Sequence, residues 1–471
     1  MKQIDLTKGK VWKSLITLAL PLMGSSLLQF TYNLVDTLFV GHLGSNSVAS
    51  VGSSSFFIGL GYAINALVVI GTGVKVAHSV GRGNQEEVKG YTQSGMFLNM
   101  LVGIVYMLFL LLMGKQLIGF LNLGNTTIER DSYLYLAWSA PMLFFAFFNT
   151  LFARILGSTG NTKSPLKINA AGIITNIVLD PILIYGLGWG VTGAAIATLL
   201  ANMMMFICYT RLGKGLFSFD FIKNNQGRGH SSIQGKTTSN AAMQQETSEN
   251  PEKSFVTKER IQEIVQLGLP IAFQRILFSV VNILLAKLVA QFGAEAIAAQ
   301  KIGLQIESVV YMVTGGLNGA VASFIGQNYG AKESCRMQKG YQTALGIGSI
   351  YAVLSACVFL LFPEQLASLF VRETETILVT ASYLRVIAFS QVFNAMEMVS
   401  NGFFTGIGKP KVPASVSMIF TALRMPIACV MVMTMGIQGI WWAISLSTIL
   451  KGITLYVLYQ CKAKPAIILI K

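Results

Sequence analysis

Two aspartates interrupt long apolar stretches in the first half of this 471-residue sequence. Asp36 lies shortly before Gly41, where its stretch ends. Asp180 lies at a similar distance before Gly186, where another stretch ends. An ionisable side chain inside a bilayer is energetically costly, so such residues commonly mark ion pathways or binding sites. If both stretches cross in the same direction, the two carboxyl groups lie at nearly equal depth. The pair therefore indicates a site for a small cation or a shared proton.

Polar neighbours extend this candidate site. Asn176 precedes Asp180 by one helical turn and shares its face. Pro181 follows directly, and a proline inside a span frees a carbonyl and often kinks the helix, so we predict a hinge there. Thr198, in the next span, falls at an overlapping depth. We predict proton or cation coupling at this oxygen-rich site, and if the ion is Na⁺ the metal ligands are Asp36, Asp180, Asn176 and Thr198.

The same residues also admit a structural interpretation, in which each acid hydrogen-bonds separately to a neighbouring helix. We favour the functional interpretation for Asp36 and Asp180, because no basic residue is expected at their depth in this half. Two close carboxyl groups disfavour double ionisation, which suits a shared proton. For Asn176 and Thr198 alone both interpretations stay open, since amides and hydroxyls commonly bridge helices.

The composition is that of an all-α polytopic membrane protein. Hydrophobic residues make up 53% of the chain and charged residues 12%, whereas soluble chains carry roughly twice that charged share. Apolar stretches long enough to span the hydrocarbon core recur along the whole length. We predict about twelve transmembrane helices, roughly at 14–40, 48–80, 91–113, 132–156, 165–186, 190–211, 260–291, 296–327, 340–362, 376–405, 412–435 and 437–460.

The second half of the chain repeats the first. Pro21 reappears as Pro270, and Gly81 reappears as Gly330. The two membrane aspartates have no acidic counterpart at the matching positions. Internal repeats combined with intramembrane acids are typical of transporters. We therefore predict two pseudo-symmetric six-helix bundles, of which only the first holds the ion site.

A polar segment separates the two halves. Residues 213–257 are rich in Asn, Gln, Ser, Thr, Gly and Lys, a composition that cannot bury enough apolar area to offset its ordering entropy. We divide the chain into an N-lobe of six transmembrane helices at 1–212, this polar cytoplasmic linker, and a C-lobe of six transmembrane helices at 258–471.

The basic residues predict the orientation. The formal net charge is +15, with 35 Lys and Arg residues. Most of them fall on one side of the predicted spans, while Lys115, Arg130 and Arg372 fall on the other. The positive-inside rule then puts both termini in the cytoplasm and makes the protein a multi-pass component of the inner (plasma) membrane. The charge thus orients the chain and contacts anionic lipid, and we predict no nucleic-acid partner.

Signatures of soluble enzymes and of ATP-driven pumps are missing from the sequence. It contains no Walker loop and no G-x-S-x-G elbow. Its three histidines and five cysteines lack metal-ligand spacing. We therefore predict no enzymatic activity and no cofactor besides a coupling ion. An ion gradient is then the energy source, since one charge crossing 100 mV releases about 2.3 kcal/mol.

The second half carries ionisable residues of both signs inside its predicted spans. Arg275 and Glu397 fall toward the inner parts of spans seven and ten, where they could pair. Two interpretations stay open for these residues: they form structural ion pairs, or they line a vestibule that faces the substrate. Methionine and aromatic clusters, such as the three methionines at 203–205, suit a pocket for apolar cations.

Four motifs together resemble one transporter family. They are QFTYNLVDTLFVGHLG at 29–44, GSTGNTK at 157–163, NIVLDP at 176–181 and GVTGAAIAT at 190–198. In their order and spacing, and over essentially the whole chain outside the linker, they resemble the multidrug and toxic compound extrusion (MATE) transporters. The resemblance implies an inverted V of two six-helix bundles around a central cavity that opens alternately to each side.

The resemblance also implies roles for individual residues. Asp36, Asn176, Asp180 and Thr198 match the family's N-lobe cation or proton site, and Gln29 matches a position near it. The implied activity is secondary active antiport, in which organic, cationic and amphipathic compounds are exported in exchange for H⁺ or Na⁺. Ion binding at the two aspartates would alter the kink near the following proline. We expect a monomer.

The chain departs from one branch of the family. NorM-like members carry acids in the seventh and tenth helices, whereas span seven here has no acid after Pro270 and span ten has Asn394 where an acid is expected. This departure favours the DinF-like mode, which is coupled through the N-lobe. Asn394, Glu397 and Arg275 stay candidates for substrate binding or coupling in the C-lobe. The alternative function is a lipid-linked oligosaccharide flippase of the same superfamily, although such proteins often have more spans.

Overall fold

The computed structural model describes residues 5–121, 123, 125–213 and 255–468, and the regular elements of these residues are helical. The first half contains α1 (Val11–Gly41), α2 (Ser45–Gly81), α3 (Gln85–Phe120), α4 (Thr126–Ser158), α5 (Lys163–Pro181) with a π-helical turn (Ile182–Gly186), and α6 (Gly190–Leu212). The second half contains α7 (Lys258–Val289), α8 (Ala294–Gly330), α9 (Ser334–Leu361), α10 (Pro363–Ser368), α11 (Thr374–Ala388), α12 (Gln391–Gly406), α13 (Lys411–Met435), α14 (Ile437–Leu458) and α15 (Lys464–Ile468).

Eleven helices in the described part of the chain are long and apolar enough to cross a bilayer, and α11 with α12 makes a twelfth span if the pair is counted as one. The predicted fold class is thereby confirmed. Span ten differs from the prediction, because its two helices meet at 53° instead of forming one rod. The break lies at Phe389 and Ser390, where the Ser390 hydroxyl donates to the carbonyl oxygen of Ile387 (2.8 Å) and so competes with the helical bonding pattern.

Local sequence signals start several of these helices. The side chain of Asn84 accepts a hydrogen bond from the backbone N–H of Glu87 and caps α3, and Asn125 caps α4 in the same way. Gly44 and Gly293 precede α2 and α8 with φ of +109° and +97°, a region that favours glycine. Because these two glycines occupy matching positions in the two halves, the repeat extends to the turns between helices.

The helices form two bundles. In the first bundle α4 is central and contacts α2, α3 and α6, burying Phe147, Phe148 and Phe152. In the second bundle α12 contacts α8, α9 and α14, and its Phe403 packs edge-on against Tyr341. The predicted linker, 213–257, lies almost entirely outside the described residues.

The two bundles meet through close backbone contacts. Helix α1 packs on α8, and α2 packs on both α7 and α8. A Cβ atom added at Gly81 would lie 1.9 Å from the carbonyl oxygen of Gln327, and one added at Gly330 would lie 2.1 Å from that of His78. These glycines are partners in the internal repeat. Only glycine permits such an approach, because any side chain would collide with backbone atoms.

Buried hydrogen bonds join the bundles at the same end. The Gln327 side chain donates to the Ser158 carbonyl oxygen in the other bundle (2.7 Å) and accepts from the backbone N–H of Leu6 (3.3 Å). His78 Nε2 lies 2.6 Å from the carbonyl oxygen of Gly406. Polar groups that are buried this way are costly to separate unless water replaces the lost partner.

The contact zone occupies only one end of the bundle pair. It lies in the halves of α2 and α8 that lead into α3 and α9, where Gly268 of α7 also meets the backbone of Leu67. At the opposite ends of α1, α2, α7 and α8, large apolar side chains are exposed, among them Leu38, Phe56, Ile283 and Ile297. Because the close backbone contacts of Gly81, Gly268 and Gly330 all lie toward the α2–α3 and α8–α9 turns, the bundles form a V that is closed at that end.

We predict that Gly330→Ala separates the two bundles at this closed end. The added methyl group meets backbone atoms of α2, and overpacking of this kind costs about 1–3 kcal/mol. Thermal unfolding of the purified protein should show a lower Tm. Gly346→Ala is the matched control, because a Cβ atom at Gly346 in α9 meets nothing within 4 Å. Equal Tm values for the two variants would contradict the close contact.

Candidate functional site

A cavity of about 580 Å³ lies in the first bundle, between α1, α2, α4, α5 and α6. Asp36 is the acidic side chain in its wall. The polar and aromatic side chains that line it include Gln29, Tyr32, Asn33, Tyr62, Tyr135, Asn149, Asn176, Thr198 and Asn202. Four of the five predicted N-lobe site residues, all except Asp180, therefore face a single cavity.

Asp180 lies immediately behind this wall. It is 0% exposed, whereas Asp36 on α1 is half-buried, and the two carboxyl groups interact electrostatically. Asp180 is carried by the last turn of α5, and after Pro181 the chain continues as the π-helical turn Ile182–Gly186. The helix geometry thus changes directly beside the buried acid, at the position predicted for a hinge.

A hydrogen-bond network connects three helices around Asp180. The Asn176 amide nitrogen donates to Asp180 Oδ1 (3.2 Å) and lies 3.5 Å from the Thr198 hydroxyl of α6. The same hydroxyl is 3.1 Å from the phenolic oxygen of Tyr32 on α1. Thr198 therefore joins α1 and α5, so a change at one acid can reach the neighbouring helices.

Several oxygens of this network have no hydrogen-bond partner among the described residues. They are Asp36 Oδ1, Asp180 Oδ2 and Asn176 Oδ1, and all three are buried. No Lys, Arg or His side chain in the described ranges forms an ion pair with either aspartate. Unpartnered buried acceptors are costly. Carboxylate and amide oxygens of this kind fit a bound proton or a hard cation.

The structure adds residues that the sequence analysis missed. Tyr32 and Asn202 belong to the network, since Asn202 donates to the backbone carbonyl of Thr198 (2.9 Å). Each lies one helical turn from a predicted residue, so helical periodicity was the available signal. Gln29 lines the cavity, but its amide bonds to Asn33 (3.4 Å) and to neither aspartate.

The acids of the second bundle are arranged differently. Glu397 forms a buried ion pair with Lys451 of α14 (3.9 Å), so the pairing with Arg275 that the sequence suggested is wrong. Arg275 on α7 is exposed and forms no ion pair within the described ranges. Asn394 is buried, and neither of its side-chain polar atoms has a hydrogen-bond partner within the described ranges.

A second buried acid in this bundle also has partners that offset its negative charge. Glu307 of α8 accepts a hydrogen bond from the Tyr383 hydroxyl (2.7 Å) and interacts electrostatically with Arg424. Arg424 in turn donates to the Ser447 hydroxyl (2.8 Å). The C-lobe thus balances its buried charges with its own cations, whereas the N-lobe leaves Asp36 and Asp180 without one.

Two helical bundles that span a membrane, that repeat one another in the same orientation and that enclose a polar cavity in the first of them define a membrane transporter built from two repeats. The MatE family model matches residues 21–182 and 270–430, and the chain belongs to this family, the MATE transporters. The chain is accordingly a transporter and not an enzyme. The two matched segments correspond to the two halves of the internal repeat.

Curated relatives match nearly the whole chain. The "Probable multidrug resistance protein NorM" of Thermotoga maritima is 26% identical over 441 residues, covering 92% of this chain and 88% of the relative. The "Multidrug export protein MepA" of Staphylococcus aureus is 23% identical, covering 93% and 91%.

Solved structures share the fold. An outward-facing multidrug resistance MATE family transporter of the MOP superfamily matches with a TM-score of 0.87 and 22% identity, covering 99% of both chains. A MOP superfamily transporter from Pyrococcus furiosus matches with a TM-score of 0.85 and 22% identity, again over 99% of both chains. At this identity the likeness concerns the arrangement of helices.

We predict opposite stability responses for the acids of the two bundles. Lys451→Met leaves Glu397 buried without a counter-charge, which costs about 3–5 kcal/mol, and adding Glu397→Gln restores most of the loss. Asp180 has no cationic partner among the described residues, so Asp180→Asn removes a buried negative charge without leaving any cation unpaired. The Tm should therefore stay equal or rise. Thermal unfolding of the four variants, including Glu397→Gln alone, checks this. A large destabilisation by Asp180→Asn would show that the N-lobe acid is compensated after all.

Proposed function

We propose that this chain is a secondary active antiporter that exports organic, cationic and amphipathic compounds in exchange for H⁺ or Na⁺ by alternating access. The observation that carries the proposal is a pair of aspartates without a counter-cation among the described residues, of which Asp36 is half-buried and faces the cavity and Asp180 is fully buried behind its wall. Such a pair holds a negative charge that must be neutralised by something that binds. The names of the curated relatives support multidrug export as the activity.

The cavity supports an aromatic, cationic cargo. Tyr32, Tyr62 and Tyr135 line it beside the carboxyl group of Asp36, and Met142 and Met205 complete the wall. Aromatic faces attract organic cations, and flexible methionine side chains adapt to different shapes. A volume near 580 Å³ accommodates a drug-sized molecule. Lining of this kind favours a broad range of substrates over one specific substrate.

Coupling follows from competition for the same negative charge. A cationic cargo in the cavity is held by ionised Asp36. When a proton or cation binds between Asp36 and Asp180, the charge is cancelled and the cargo is released. The network through Thr198 transmits this change to α1 and α5, and the π-helical turn after Pro181 can rearrange without breaking the helix. This is the N-lobe-coupled, DinF-like mode.

The two coupling ions use the same residues in different ways. A proton would be shared by Asp36 and Asp180, with the Asn176 amide holding the second acid in place. Sodium would instead require both carboxylates to be ionised and would be held by their oxygens together with those of Asn176 and Thr198. In either case the two aspartates bind the coupling ion, and the charged residues of the C-lobe maintain the structure.

The orientation supports export. With both termini in the cytoplasm of the cell, as the basic residues predict, the closed end of the V faces inward and the open end faces outward. The structure then corresponds to an outward-open state in the plasma membrane, from which cargo is released. We expect one chain to suffice, because the cavity is formed by helices of a single bundle.

We predict that Asp36→Asn and Asp180→Asn each reduce gradient-driven efflux to the level of empty liposomes. The amide keeps the shape of the side chain but removes the charge that ion and cargo share. The measurement is ethidium efflux from proteoliposomes of the purified protein. Asp131→Asn, which makes the same exchange in the first turns of α4 outside the cavity, is the matched control and should transport like the unmodified protein.

Imposing a pH gradient and a Na⁺ gradient separately distinguishes the coupling ion. Efflux under the pH gradient alone indicates proton antiport, whereas efflux that requires Na⁺ indicates a metal-cation site at the same residues. Full activity in both aspartate variants would refute the mechanism. An unmodified protein that responds to neither gradient would refute antiport and favour the oligosaccharide flippase.

A further inference from the structure

A groove of about 470 Å³ lies between the start of α1 and the first turns of α9, and it shares no lining residue with the N-lobe cavity. One wall is the chain from Gly9 to Trp12, and the other is the face of α9 from Cys335 to Thr343. These α9 residues extend over about 12 Å of helix. The groove is therefore long enough for an elongated ligand and is not a point site for an ion.

The groove is basic. Lys10 and Lys339 line it, and neither forms an ion pair with any Asp or Glu side chain of the described residues. No acidic side chain occurs among the residues that form its walls. Two unpaired lysines that face the same groove are expected to attract a ligand with negative charge.

Arg336 holds the two walls together. Its guanidinium group donates to the backbone carbonyl oxygens of Gly9 (2.7 Å), Leu6 (2.9 Å) and Lys8 (3.0 Å), and to the Asn328 side chain (3.1 Å). With all these donors in use, Arg336 fixes the shape of the groove and adds positive charge, while the two lysines remain available to a ligand.

The rim of the groove has the character of a membrane interface. Trp12 lines it and is 54% exposed, directly where α1 begins at Val11. Tryptophan next to lysine at the end of a transmembrane helix is typical of the headgroup level, where the ring contacts lipid and the ammonium group contacts phosphate.

We propose that this groove binds the phosphate headgroup of an anionic phospholipid in the cytoplasmic leaflet. Lys10 and Lys339 neutralise the phosphate, and Trp12 packs against the glycerol and upper acyl chain. The length of the groove along α9 and its apolar rim favour a lipid over free phosphate. The choice of leaflet rests on the orientation given under Proposed function, but binding itself does not depend on transport.

Native mass spectrometry of the purified full chain tests this proposal, with phosphatidylglycerol, phosphatidylcholine and inorganic phosphate as separate probes. We expect phosphatidylglycerol to be retained in preference to phosphatidylcholine. Lys10→Gln/Lys339→Gln should weaken phosphatidylglycerol binding roughly ten- to thirty-fold, because the double variant loses the electrostatic attraction of two positive charges to the anionic headgroup. Unchanged Tm values would show that the variant is folded.

Lys163→Gln/Lys167→Gln is the matched control, since these exposed lysines lie at the start of α5 and do not line the groove. Retained phosphatidylglycerol binding in this control, with loss in the groove variant, supports the site. Equal binding in all three proteins, or equal losses in both variants, overturns it. Inorganic phosphate that displaces the lipid at low millimolar concentration would identify an ion site instead and also overturn the proposal. The assay involves no ion gradient, so its failure is distinct from a failure of antiport.

Discussion

A charge buried in a membrane protein must be compensated, and the two bundles of this transporter meet that requirement in different ways. In the C-lobe, Glu397 has Lys451, and Glu307 has the Tyr383 hydroxyl with Arg424 nearby. In the N-lobe, Asp180 accepts a hydrogen bond from the Asn176 amide and Asp36 Oδ1 has no hydrogen-bond partner among the described residues. The duplicated scaffold is thus asymmetric: the buried acids of the C-lobe have cations beside them, whereas the two aspartates of the N-lobe have none among the described residues.

Helix α1 connects this incomplete half to the rest of the molecule. Its last third carries Asp36 at the cavity, and its first half packs on α8 of the other bundle, where Gly316 lies against the backbone of Met23. Its first residues form one wall of the basic groove. Asp36 therefore lies on a helix that also touches the contact zone and the basic groove, and in the proposed mechanism α1 would be the link between ion binding and movement of the bundles.

The contact zone explains how the bundles can stay joined while their far ends separate. Gly81 and Gly330 allow the backbones of α2 and α8 to touch directly, and the buried hydrogen bonds of Gln327 and His78 reinforce that end. The open end lacks equivalent contacts among the described helices, and its apolar side chains are exposed. In the proposed alternating-access cycle these backbone contacts would have to part, and their strength would then set the balance between the two states.

The sequence by itself determined the helical membrane fold and the repeat, and it pointed to Asp36 and Asp180 as candidate site residues, because bilayer-length apolar stretches and rare intramembrane acids are local signals. Helical periodicity also identified Asn176 as a neighbour of Asp180, and it could have identified Tyr32 as a neighbour of Asp36. Only the tertiary structure decided that Asp180 is buried while Asp36 faces the cavity, and that Glu397 pairs with Lys451 and not Arg275. These facts depend on which faces of distant helices meet, and the spacing of residues along one chain does not specify that.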